Sequence, residues 1–81
     1  MSQLQEIIVG RQYRHFKGTI YEVDAIAEHT ETHEKLVMYH SVNAHKKIWA
    51  RPYNMFASKV DKLKYPDVEA EWRFTPVVAG E

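Results

Sequence analysis

The sequence predicts an all-β domain, and three observations carry that prediction. Tyr21, Val23, Ala25 and Ala27 alternate with Glu22, Asp24 and Glu28, the period of a half-buried strand. Val68, Ala70, Trp72 and Phe74 alternate in the same way with Glu69, Glu71 and Arg73. Between these runs, short apolar stretches are separated by turn-forming clusters at residues 17–18, 29–34, 43–46 and 66–67.

Each element follows from its residues. The Ser2-Gln3-Leu4-Gln5 pattern matches a capping box and predicts a short helix to Ile8, closed by Gly10. Residues 11–16 hold Tyr13 and Phe16 and predict a first strand. Lys17-Gly18 is a turn, since glycine accepts positive φ without steric cost. The alternating run at 21–27 is the second strand, with Ile20 and Ile26 interrupting its polar face. The polar stretch 29–34 reads as a hairpin loop, and residues 35–42 as a third strand buried on both faces for part of its length.

A fourth strand at 47–51 stops at Pro52, which has no N–H to donate. Met55 and Phe56 then suit one helical turn that plugs the end of a barrel, both side chains buried. Val60 and Leu63 anchor the charged segment that follows, residues 68–74 close the sheet, and residues 75–81 fray. Five strands, tight connections and one helical turn before the last strand describe a small, partly open SH3-like barrel. An OB-like barrel of five strands is the alternative. The expected organisation is one domain over residues 1–81: an N-terminal segment at 1–9, the barrel at 10–74 and a tail at 75–81.

Composition narrows the chemistry. The 81 residues contain no cysteine, which excludes disulfides, thiolate catalysis and cysteine-ligated zinc. No apolar run is long enough to span a membrane or to act as a secretory signal, so a cytoplasmic protein is expected. Eleven basic and eleven acidic side chains cancel, so phosphate binding requires segregated charge. Segregation is visible: Arg11, Arg14, His15 and Lys17 form one basic cluster, His45, Lys46, Lys47 and Arg51 a second, and Glu28, Glu31 and Glu34 crowd the hairpin loop.

Four segments in one order carry a family resemblance: GRQYRHFKG at residues 10–18, YEV at 21–23, AEHTET at 27–32 and WARPYNMF at 49–56, with LVMY at 36–39 between them. They resemble the small bacterial family called domain of unknown function 1653. The chain departs from that family at Thr30, where members usually carry serine, and at Trp72-Arg73-Phe74, where they usually close on Pro-Arg-Phe. The resemblance supports the fold and supplies positions; it implies no reaction.

His15, His29, Glu31, Thr32, Tyr39, Trp49 and Arg51 lie in the resembling segments and form the candidate site. An arginine beside a tryptophan can pair with an anion while the ring stacks on a planar group. The purely structural reading assigns Glu31 and Thr32 to capping loop N–H groups, Trp49 to the core and Arg51 to a neighbouring acid. Histidine spacings at His29/His33 and His40/His45 lack the helical context that would aim two imidazoles at one ion, so no metal and no cofactor is expected. Ser41, His40 and Asp24 cannot form a triad, because adjacent strand residues point to opposite faces. No glycine-rich phosphate cradle is present.

The leading expectation is a binding or accessory module with a groove for an anionic or planar ligand: a nucleotide, single-stranded nucleic acid or a peptide of a protein partner. A small hydrolase or transferase using His29 and Glu31 is the second reading, and a structural homo-oligomer the third.

Overall fold

The computed structural model describes residues 4–77, without the side chains of residues 45 and 46. Five strands run in chain order: β1 (Gln12–His15), β2 (Ile20–Glu28), β3 (Lys35–Ser41), β4 (Ala44–Pro52) and, after the helical turn α1 (Tyr53–Phe56), β5 (Phe74–Pro76). All pair antiparallel in one sheet of order β4-β3-β2-β1-β5. The sheet does not close, and β4 and β5 are its edges. This is a small, all-β, barrel-like fold, as the sequence predicts. Among the described residues, no helix is long and apolar enough to cross a membrane.

Gly18 makes the β1–β2 turn at φ +111°, the left-handed region its lack of a Cβ permits. The β3–β4 turn is tighter than the 43–46 turn read from the sequence. Ser41 pairs with Ala44, so Val42 and Asn43 alone reverse the chain, and the Ser41 Oγ accepts the Asn43 N–H. Pro52 ends β4 as expected and precedes α1 directly.

The second strand carries a bulge between Val23 and Ala25. Val23 opposes Tyr39, but after the extra residue it is Ile26 that opposes Val37. The expected face of Tyr21, Val23, Ala25 and Ala27 is therefore broken: Tyr21, Val23 and Ile26 share the inner side, and Ala25 turns outward.

Five other expectations are corrected. The helix to Ile8 is absent: residues 4–8 take no regular structure, while Ser2 and Gln3 lie outside the described residues. Tertiary bonds replace the helical ones there, with the Ile7 N–H donating to the Tyr53 hydroxyl, the Ile8 N–H to the Tyr13 hydroxyl, and Ile7 buried in the core. Met55 is 46% exposed, because a four-residue turn points only one of two adjacent side chains inward, and Phe56 takes that place. Leu63 is exposed on a turn whose N–H groups are held by Asp61; Val60 is the buried anchor.

The closing strand is β5 at Phe74–Pro76, not 68–74. Residues 68–72 alternate in burial as read, but the segment pairs with residues 58–60 through Val60 N–H to Glu71 O and Arg73 N–H to Ser58 O. Thr75 and Pro76 belong to the sheet and not to a frayed end; residues 78–81 lie outside the described residues.

Aromatic rings fill the core. Phe56 stacks on Phe74 at 3.9 Å, and Tyr13 and Tyr39 meet the Phe56 ring edge-on at 5.6 and 5.1 Å. Such pairs add about 0.5–1.5 kcal/mol each beyond the area they bury.

Candidate functional site

The curled sheet brings its two edges, β4 and β5, to opposite sides of the aromatic core. Period two along β4 puts Lys47, Trp49 and Arg51 on the inner side, since Trp49 opposes the buried Tyr39 and Arg51 opposes the buried Val37. Arg51 leans across the opening: its Nε donates to the Tyr39 hydroxyl at 3.2 Å, and its Cζ lies 5.5 Å from the Phe74 ring centroid. From β1, His15 meets the same ring edge-on at 4.8 Å and stacks on Phe16. His15, Tyr39, Trp49 and Arg51 are thus collected along one seam.

Charge at this seam is of one sign. Burial lowers the pKa of His15 below 6.5, and the nearby cations Arg51, Lys17 and Arg73 lower it further. Its Nδ1 accepts the Lys17 N–H at 3.1 Å, which places the proton of the neutral ring on Nε2. The Arg73 Nε is buried with no hydrogen-bond partner among the described residues. The ion pairs of the described residues are His33–Glu28, His40–Asp24 and Lys59–Glu71, so Lys17, Lys47, Arg51 and Arg73 have no carboxylate partner. Lys47 Nζ instead sits 4.8 Å from the Trp49 ring centroid, and Trp49 is 47% exposed. The reading of Arg51 as paired with a neighbouring acid does not hold.

His29, Glu31 and Thr32 do not join this group. They form the tip of the β2–β3 hairpin, and their hydrogen bonds are local. The His29 Nδ1 accepts the N–H groups of Glu31 and Thr32 at 3.1 and 3.2 Å, and the Thr32 Oγ1 accepts the Glu34 N–H. His33 adopts φ +62° and places its Nδ1 2.8 Å from Glu28. These side chains organise a six-residue connection.

A groove of about 310 Å³ opens over the β1–β5 pair, lined by Arg14, His15, Phe16, Gly18, Thr75 and Pro76 among others. Of the seven candidates, only His15 borders it; the concavity lies beside the seam and not against the hairpin tip. On the outer side, Glu22, Asp24 and His40 bring one ligand atom each within 4.8 Å of one another. His40 Nδ1 is 2.8 Å from Asp24, while Ser41 lies on the other face, so no triad forms.

Lys17, Lys47, Arg73 and Phe74 belong to the seam although they were absent from the candidate set. The two basic clusters of the sequence carry the signal for Lys17 and Lys47, since His15 of the first lies within electrostatic reach of Arg51 of the second. Arg73 and Phe74 carry no local sign of their role.

The family model described as "Protein of unknown function (DUF1653)" matches residues 11–76, and the chain belongs to that family. Comparison with curated proteins and with solved structures gave no match.

Proposed function

We propose that this protein is a binding module whose seam, built from His15, Tyr39, Trp49 and Arg51 with Lys17 and Arg73, takes an anionic ligand carrying a planar group. One observation carries the reading: four cations surround an aromatic seam and none is paired with a carboxylate among the described residues. A guanidinium held over rings by a single hydrogen bond from Nε keeps its terminal nitrogens for a bidentate acceptor. Trp49 supplies a half-open ring face beside it.

A Trp72→Phe background leaves Trp49 as the only indole, so its fluorescence reports the seam. Nucleoside monophosphates are expected to quench it, with the effect lost in Arg51→Ala and kept in Glu31→Ala. Unchanged Trp49 emission with nucleotides, nucleosides and inorganic phosphate would overturn the reading.

A further inference from the structure

The ligand class can be narrowed, resting on the seam as the binding site, because the cations do not form one cluster. Arg51, Trp49 and Lys47 occupy alternate positions of β4, so they present cation, aromatic and cation in file, about 6.6 Å per step. At the inner end of this file, Arg51 and His15 share the Phe74 ring, and Lys17 and Arg73 add positive charge near His15. At the outer end, Lys47 is exposed beside the ring of Trp49. A single phosphate or a free carboxylate uses only one end of such an array.

We infer that the seam holds single-stranded nucleic acid, laid along β4 with one phosphate at Arg51, Lys17 and Arg73, a base on Trp49 and a second phosphate at Lys47. Alternating charge and ring suits a chain that alternates phosphate and base, and stacking makes no demand on sequence. The neutral total charge is no obstacle, because among the described residues no carboxylate pairs with Arg51, Lys17, Lys47 or Arg73. Glu22 and Asp24 are on the outer face, and Glu31 and Glu34 on the hairpin tip. β4 is a sheet edge, so a strand can approach along its whole length. An acidic peptide would satisfy the cations but would leave the exposed indole without a planar partner.

The test is a length series of thymidylates, from the mononucleotide to an octamer, titrated into the full chain at several salt concentrations. Affinity is expected to rise at least tenfold from one to four nucleotides and then level off. For two neutralised phosphates the slope of log K against log salt should be about −1.4, and Lys47→Ala should reduce its size by about 0.7. Glu31→Ala, on the hairpin tip, should leave binding at every length as it was. Mononucleotide binding that depends on Arg51 with no gain for the tetramer would overturn this inference and leave the anion site standing. No binding by either would remove both. Oligoglutamate binding as tightly as the tetramer, with the same slope, would assign the seam to an acidic peptide and overturn the inference.

Discussion

The tip of the β2–β3 hairpin and the seam between β4 and β5 carry similar side chains and use them in opposite ways. At the tip, His29 Nδ1 accepts two backbone N–H groups and Thr32 accepts a third, so the polar atoms are satisfied by the loop they shape. At the seam, β4 is held on one side by its ladder with β3, and side-chain nitrogens of Arg51 and Arg73 are left over among the described residues. Loop residues must first meet the needs of an unpaired backbone, whereas strand residues are free to serve something else.

The largest test of that contrast removes what the seam is built on. Phe56→Ala empties the centre of the core and should cost about 3–5 kcal/mol, most of the stability of a domain this small. Chemical denaturation should show it nearly unfolded in water, and a loss below about 1 kcal/mol would mean the ring stack is not what holds the seam together. The tip comes next. His29→Ala strips the loop of its acceptor and should lower the melting temperature by several degrees, about 0.5–1.5 kcal/mol, with nucleotide binding intact. Binding lost along with His29 would join the tip to the site and break the contrast.

Arg51→Ala should reverse that pattern. The bond to the Tyr39 hydroxyl and the contact with the Phe74 ring are lost, at a cost of about 1–2 kcal/mol, while ligand binding should disappear. A drop of several kcal/mol would show that Arg51 has an acid to hold. The smallest effect is a slope with pH. The folded pKa of His15 lies below its unfolded value of 6.5, so the unfolded chain binds more protons between the two. This contribution to stability is full above pH 6.5 and is lost as pH falls through the folded pKa. His15→Gln should flatten the melting temperature over that window. By the same linkage, a bound phosphate should raise the His15 pKa, which NMR titration of its ring can follow.

Much of the fold was legible because period two and turn chemistry are local. Gly18, Pro52 and the loop at 29–34 all do what their residue types require. Partner choice was not. Val68, Ala70 and Trp72 alternate as a strand does, yet nothing in the run says that it meets residues 58–60 and not β1. The bulge at Asp24 was equally hidden, since an extra residue leaves composition unchanged and reverses the faces beyond it. Within the site, His15, Tyr39, Trp49 and Arg51 were found as amphipathic strand residues. The hairpin polar residues are of the same types, and sequence order cannot distinguish a side chain that faces an open seam from one that caps its own loop.

The pairing of β5 with β1 has a consequence for the order in which the chain assembles. β1 to β4 are joined by hairpins and can zip from one turn to the next, each contact close in sequence to the last. Phe74 must instead be carried back across residues 57–73 before it can stack on Phe56, so its loop-closure entropy is paid last. A three-residue strand returns little backbone bonding for that cost, which makes the ring stack the latch. The half of the seam contributed by Phe74 is therefore created in the final folding event and is the first to be lost in any partial opening, so a ligand seated across both edges, as proposed, would close the molecule as well as being held by it.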